Sequence, residues 1–171
     1  MKNVSRILIA MLMIMGLGSF RHVSAAGGSA EAFAQLKSLV GHWEEQKVSE
    51  YKSTMDIELT AGGTALLEKF RMVEQGKPVE MITMYYLDGG QLKLTHYCMA
   101  GNQPTMRGTY APESKTLTFD FENATNLKSS NDGHMHHAVY TFLDNDHFKT
   151  TWTFQKDQKD SFTEDVTYVR K

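Results

Sequence analysis

The sequence is poor in cysteine, proline and tryptophan, and these shortages exclude some classes of protein. The 171 residues include one cysteine, three prolines and two tryptophans. A single cysteine cannot form an intramolecular disulfide, so a small disulfide-stapled fold is excluded, and the lone thiol is expected to be buried. Basic residues (18) do not exceed acidic residues (20) and form no stripe. This balance argues against a nucleic-acid or anionic-membrane partner.

A long hydrophobic run occurs only near the amino terminus. Two basic residues precede an apolar segment over residues 7–18, and small residues lead to an expected cut after Ala25. This order is typical of a secretory signal peptide, and the run is shorter than a membrane span. We therefore expect a signal peptide over residues 1–25 and one mature domain over residues 26–171. The protein would be exported by a bacterium, periplasmic or secreted, with no stable membrane insertion after cleavage.

Hydrophobic periodicity changes once along the mature chain. Ser29 can cap a short helix over residues 30–40, in which Phe33, Leu36 and Val40 share one face. Beyond residue 41 the period becomes two, and turns rich in Gly, Asn, Asp and Pro separate about ten short segments. The predicted strands cover residues 42–49, 53–60, 64–73, 79–87, 91–99, 105–110, 115–121, 134–143, 147–155 and 162–170, with a polar loop over 122–133. The pattern predicts an all-β fold, an antiparallel up-and-down β-barrel whose closure removes exposed strand edges.

Both ends of the predicted barrel carry a family resemblance. A short helix leads into Gly41-His42-Trp43, and the last strand ends at Arg170. This arrangement resembles the calycin superfamily, which includes the lipocalins and the fatty-acid-binding proteins. The resemblance implies a lipocalin-like barrel in which Trp43 closes the floor and Arg170 packs over its ring. The segments MYYLDGG and LTHYCMAGNQP are similar to a family of uncharacterised secreted bacterial lipocalin-like proteins, which supplies a fold and no biochemical function.

The chain also departs from conventional lipocalins. It lacks the Thr-Asp-Tyr motif and a helix after the barrel, and ten strands are closer to the fatty-acid-binding and nitrobindin branches. Nitrobindin-type proteins hold haem through a histidine near the carboxyl terminus. The last predicted strand has no histidine, so the resemblance carries no haem site to this chain. No cofactor is predicted.

Alternation along the strands predicts which side chains face inward. In the fifth strand one face carries His96 and Cys98, whereas the other carries Lys93, which is costly to bury. His96 and Cys98 are therefore expected inside. In the eighth strand both faces are plausible, and the row that includes His134, His136 and Tyr140 is favoured. The same argument turns Glu68 and Trp152 inward, whereas the fourth strand is ambiguous like the eighth, and its row that includes Tyr85 is favoured.

A few polar groups in an apolar interior are typical of a small-molecule site. The leading prediction is a protein, monomeric or dimeric, that binds a small, mostly apolar ligand inside the barrel. Asn102 and Gln103 lie on a hairpin turn, where a ligand would enter. The predicted ligand-binding residues are Glu68, Tyr85, His96, Cys98, Asn102, Gln103, His136, Tyr140 and Trp152. The alternative is a filled core whose polar residues satisfy each other, for example Glu68 with His96.

Two rival functions use the same residues. Glu68, Tyr85 and His96 could perform acid–base chemistry if they meet in a dry cavity, although no motif identifies an enzyme and binding is favoured over catalysis. The cluster His134–His137 could hold a metal or haem, with His134 and His136 on one strand face. Neither hypothesis is supported by a further motif.

Overall fold

The barrel predicted from the sequence is confirmed. The computed structural model describes residues 25–171, so the predicted signal peptide lies outside the described residues apart from Ala25. Within that range each strand pairs antiparallel with the next, and the first pairs with the last, which closes a ten-stranded barrel. The elements are α1 Ala25–Lys37, β1 Gly41–Glu45, β2 Thr54–Thr60, β3 Ala65–Glu74, β4 Lys77–Asp88, β5 Gln91–Tyr97, β6 Gln103–Ala111, β7 Thr116–Thr125, β8 His134–Phe142, β9 His147–Lys156 and β10 Lys159–Arg170.

Tight turns keep consecutive strands adjacent. Gly89 and Gly90 join β4 to β5 as a two-residue turn, and both have positive φ, 55° and 79°. That conformation belongs to the hairpin turns whose twist matches the flanking strands, and glycine adopts it without steric cost. No helix within residues 25–171 has the length and apolar character that a membrane span needs.

The helix differs from its prediction at both ends. It begins at Ala25, so Ser29 lies inside it rather than at its cap. It ends at Lys37, where the amides of the next residues bond carbonyls three positions back, including Leu39 N to Leu36 O at 3.0 Å. The change of geometry carries Val40 off the predicted face: Val40 is 40% exposed, whereas Leu39 is 3% exposed. The prediction that Val40 shares one face with Phe33 and Leu36 is therefore wrong.

Helix α1 covers one end of the barrel, packed against β4, β5 and β6. Phe33, Leu36 and Leu39 are buried there beside Trp43, which is fully buried. The Trp43 indole N–H donates to the Leu39 carbonyl at 2.7 Å, and Phe148 meets the indole edge-on at 4.6 Å. We call this apolar plug the closed end.

Arg170 stabilises the closed end by contacts with several chain segments. Its guanidinium lies over the Trp43 ring, 4.2 Å from the ring centre. It donates to the carbonyls of Val40 and Ser38, each at 2.8 Å, and of Asn145 at 3.1 Å. One side chain therefore joins the helix–β1 connection, the β8–β9 turn and β10.

A bulge in β8 changes which residues face inward. The pairing with β9 skips one residue between Met135 and His137, so His136 is the extra residue. Tyr140 is fully buried on the inner face, but beyond the bulge the inner face continues through Met135, which pairs with the inward Phe154. The predicted inward row of His134, His136 and Tyr140 is thus broken, because the bulge shifts the alternation by one residue. The predicted polar loop is also shorter, since β7 continues to Thr125.

Candidate functional site

A cavity of about 1010 Å³ occupies the end of the barrel opposite α1. It lies among the β1–β2 connection, the β5–β6 turn and the start of β10, and we call it the mouth cavity. Its wall includes side chains that are exposed to solvent, such as Met99 at 54% and Phe162 at 49%. The apolar wall consists mainly of Tyr51, Met72, Met81, Met99, Met135, Phe154, Phe162 and Val166.

The cavity wall is a continuation of the inward rows of the strands. In β3 the row of Glu68 and Phe70 reaches Met72, and in β4 Met81 comes two residues before Thr83. Methionine is unbranched and polarizable, so four methionines give a wall that can repack around apolar ligands of different shapes. The size and lining are those of a small-molecule pocket.

Cys98 is the predicted ligand-binding residue that the structure places in the cavity wall. It comes immediately after β5 and is partly buried. Burial raises the pKa of its thiol, and this effect outweighs the hydrogen bonds from the Ala100 and Met99 amides. A protonated, partly buried thiol is a poor nucleophile. Cys98 is suited to lining the cavity rather than to covalent chemistry.

Beneath the mouth cavity lies a buried polar group that we call the Glu68 cluster: Glu68, Thr83, Tyr85, His96 and Tyr140. The Tyr85 hydroxyl donates to Glu68 Oε2 at 2.6 Å, and the Tyr140 hydroxyl lies 3.2 Å from the same oxygen and 2.6 Å from the Tyr85 hydroxyl. Thr83 donates to Glu68 Oε1 at 3.3 Å. Burial raises the pKa of Glu68 to about 7, although the three hydroxyl groups favour the ionised form.

His96 joins the cluster through Thr83, whose Oγ1 lies 3.0 Å from His96 Nδ1. When Glu68 is ionised, the single Thr83 hydroxyl proton is donated to it, so Thr83 accepts from His96 Nδ1–H. His96 Nε2 then carries a lone pair, and it is buried with no hydrogen-bond partner among residues 25–171. Burial lowers the pKa of His96 to about 4. The Trp152 ring packs on the imidazole at 5.1 Å between ring centres.

The interior is thus filled in one half and open in the other. Glu68, Tyr85, His96 and Tyr140 meet in one cluster, and Glu68 reaches His96 through Thr83, whereas the acid–base hypothesis also requires a cavity at this place. None of these residues lines the mouth cavity. The filled core and the cavity, which the sequence offers as alternatives, therefore occupy different levels of one barrel. Catalysis by the cluster stays a prediction.

The two residues predicted at the mouth bind neighbouring chain segments. Asn102 is buried and donates from Nδ2 to the Gly133 carbonyl at 2.8 Å, which ties the β5–β6 turn to the start of β8. Its Oδ1 is buried without a partner among the described residues. Gln103 accepts from Thr125 on β7 at 2.6 Å. Both side chains stabilise the rim, and their contact with a ligand stays a prediction.

His134 and His136 lie apart from the mouth cavity, in a side pocket lined in part by Phe121 and residues 127–130. His134 Nδ1 lies 2.9 Å from the Asp132 carbonyl and therefore donates to it, so Nε2 accepts from His136 Nδ1 at 3.2 Å. This bond occupies the Nε2 lone pair of His134, so in this arrangement that nitrogen does not offer a lone pair to a metal. Residues 25–171 contain no group of three or more His, Cys, Asp or Glu side chains that could hold a metal ion.

Sequence reasoning missed the acidic part of the cavity wall. Glu45, Glu74 and Glu164 all line the mouth cavity. The signal was present in β10, where Glu164 alternates with Phe162, Val166 and Tyr168. Assigning the inner face of that strand would have identified Glu164.

Comparison with known proteins supports the fold and no specific activity. No protein-family model matches the sequence, and no curated protein matches it. Among solved structures, the chain is similar to Rv2717c from M. tuberculosis, with 14% identity, a TM-score of 0.57, and coverage of 82% of this chain and 97% of that one. It is also similar to a protein of unknown function of the DUF3598 family from Nostoc punctiforme, with 13% identity and a TM-score of 0.51. That match covers 80% of this chain but 49% of the other, and at these identities both matches indicate the fold alone.

Proposed function

We propose that the protein binds a small, mostly apolar ligand in the mouth cavity. The observation that carries this proposal is a cavity of about 1010 Å³ at one end of the barrel, whose apolar wall consists largely of methionine and aromatic side chains. Burial of apolar surface is the main driving force for such binding, at roughly 25 cal/mol per Å² removed from water. The polar groups around the cavity would orient the ligand.

The proposal also covers the location of the protein and its structural relationship to other barrels. The amino-terminal sequence supports export from a bacterial cell, and the helix that leads into Trp43, with Arg170 over the indole, supports a relationship to the calycins. An exported barrel of this kind would carry or sequester its ligand outside the cytoplasm.

The neutral dye N-phenyl-1-naphthylamine tests the proposal, because its fluorescence rises in apolar surroundings. We expect one saturable site on the wild-type protein. Val166→Trp places a large side chain in the cavity wall and should lower the dye affinity by at least about tenfold. Val166 is partly buried against the core, so the thermal midpoint of the variant should be measured alongside.

Leu87→Trp is the matched control, since Leu87 is 42% exposed and does not line the mouth cavity. Its dye affinity should equal that of the wild type. Absence of saturable binding, or an equal effect of both tryptophans in folded proteins, would contradict binding in the mouth cavity.

A further inference from the structure

The mouth cavity contains a carboxylate that has no partner. Glu164 pairs in register with Trp152 of β9 and faces the interior between Phe162 and Val166. It is half-buried, and it has no hydrogen bond or ion pair within residues 25–171. Burial raises the pKa of Glu164, and the charges of Glu45 and Glu74 raise it further. An unpaired carboxylate in an apolar wall is unfavourable in the empty protein.

The other charges around the cavity are mostly negative. Glu45 is held ionised, because hydrogen bonds from Ser53 and Ser49 outweigh its burial and lower its pKa. Glu74 also lines the cavity and has no ion pair in the described part of the chain. The lining contains one cationic side chain, Lys47, which is exposed to solvent. The ligand would therefore experience a negative potential over the cavity.

Aromatic rings lie in the same wall as these carboxylates. Tyr51, Phe154 and Phe162 line the cavity, and the Phe154 and Phe162 rings are stacked at 5.1 Å. A cation is attracted both by carboxylates and by the faces of aromatic rings. A neutral ligand would leave Glu164 unpaired, and an anionic ligand would be repelled by the carboxylates.

We infer that the ligand of the mouth cavity is an amphiphilic cation, an apolar body that carries a protonated amine or a quaternary ammonium group. Its apolar part packs against the methionines, and its cationic group pairs with Glu164 beside Glu74. This inference rests on the proposed function and adds the charge of the ligand to it. Electrostatic complementarity would then select among apolar molecules of similar size.

Three probes with the same ten-carbon chain separate charge from hydrophobicity: decylammonium, decanol and decanoate. Each is titrated calorimetrically into the wild-type protein at low ionic strength, below its micelle concentration. We expect decylammonium to bind about tenfold more tightly than decanol, because a charged hydrogen bond forms to Glu164, and decanoate to bind most weakly. Added salt should reduce the preference.

Glu164→Gln keeps the size of the side chain and removes its charge. In this variant decylammonium should bind no more tightly than decanol, while N-phenyl-1-naphthylamine, which is neutral, binds as it does to the wild type. Glu74→Gln should reduce the preference in part. Glu113→Gln, an exposed residue on the β6–β7 turn, changes the net charge equally and should leave the preference intact.

The outcomes separate the two proposals. Equal affinity for the three probes, tighter binding of decanoate, or a preference that survives Glu164→Gln would overturn the cationic ligand and leave apolar binding in place. If neither the dye nor any decyl probe binds, both proposals fail.

Discussion

At the scale of single residues, Glu68 and His96 share Thr83 but have opposite pKa shifts. Burial raises the pKa of Glu68 to about 7 and lowers the pKa of His96 to about 4. Both shifts extend the pH range over which the residue is neutral, because burial disfavours the charged form of each. Glu68 thus stays neutral by keeping its proton to a higher pH, and His96 stays neutral by remaining unprotonated to a lower pH.

These shifts predict opposite effects of pH on stability. Above pH 4.5 the unfolded Glu68 ionises first, so its contribution to the free energy of unfolding falls as pH rises towards 7. Below pH 6.5 the unfolded His96 takes up a proton first, so its contribution falls as pH drops towards 4. Each effect is about 3 kcal/mol in full. In the wild type the two should largely cancel between pH 4.5 and 6.5.

Single substitutions should uncover each effect. With His96→Gln, the free energy of unfolding should fall as pH rises from 4.5 to 7, because the opposing effect of His96 is removed. With Glu68→Gln it should rise between pH 4 and 6.5, because the opposing effect of Glu68 is removed. Urea denaturation across this range measures both slopes. Parallel pH profiles for the two variants would show that the pKa shifts have been assigned wrongly.

The reactivity of Cys98, the only cysteine of the chain, can be used to measure whether the mouth cavity is occupied. Cys98 lines the mouth cavity, and its pKa is raised by burial, so N-ethylmaleimide should modify it slowly at neutral pH. Saturating N-phenyl-1-naphthylamine should slow the reaction further, because the ligand covers the thiol. Intact mass spectrometry over time gives the rate. In the Val166→Trp variant the dye should no longer protect, and protection there would indicate an effect of the dye outside the cavity.

At the scale of elements, Arg170 joins three segments, the helix–β1 connection, the β8–β9 turn and β10. Gly41 makes this possible: a Cβ there would stand 2.7 Å from Arg170 Nη1, and its φ is 144°. Arg170→Met removes three hydrogen bonds to carbonyls and the contact with Trp43, and should cost about 2 kcal/mol of stability. Arg170→Lys should lose most of the same energy, because an ammonium cannot reach three carbonyls at once.

Chemical denaturation measures both losses. The matched control is Arg107→Met, because Arg107 is an exposed arginine on β6 whose charge contact is Glu122 at 3.4 Å. It should change stability by less than about 0.5 kcal/mol. A full recovery of stability by Arg170→Lys would mean that charge alone, rather than the spread of the guanidinium, holds the segments together.

The elements also show what the sequence could predict. Alternation and turn residues are local signals, so the number and order of the strands and the inward face of β5 follow from them. No local sequence signal predicts the bulge at His136, because the bulge depends on how β8 pairs with β9 in the folded sheet. The helix was placed too late because its early residues, Ala, Gly and Ser, show no periodicity.

At the scale of the whole molecule, the packed and open halves of the barrel should respond differently to the same substitution. Met106 is fully buried between the two ends, whereas Met72 lines the mouth cavity. Met106→Ala should cost about 3 kcal/mol, since it leaves a void in a packed core. Met72→Ala only enlarges an existing space and should cost less than about 1 kcal/mol.

The comparison is made by urea denaturation with and without N-phenyl-1-naphthylamine. Met72→Ala should change dye affinity and Met106→Ala should not. Equal losses of stability would indicate that the cavity is closed in solution and that Met72 is packed like a core residue.

The division into two halves explains why Cys98 alone among the predicted ligand-binding residues lines the mouth cavity. The direction in which a side chain points follows from the alternation within its own strand. This rule correctly predicted that Glu68, Tyr85 and His96 point inward. Depth along the barrel axis depends on the stagger of all ten strands, and it decides whether an inward side chain meets another side chain or a cavity. Four of the residues predicted as ligand contacts lie at the filled level, namely Glu68, Tyr85, His96 and Tyr140, whereas the open level is lined by residues near the strand ends.

The seam between β1 and β10 has a consequence for how the barrel assembles. Three residue pairs close it, from Trp43 with Arg170 to Glu45 with Tyr168, and they join the two ends of the described chain. Hairpins between consecutive strands form from nearby residues, but this seam must wait for the whole meander, so its closure should be late and slow. Until it closes, β1 and β10 present two free edges to other nascent chains. The time that this three-pair seam takes to close therefore sets the interval during which the protein is exposed to aggregation.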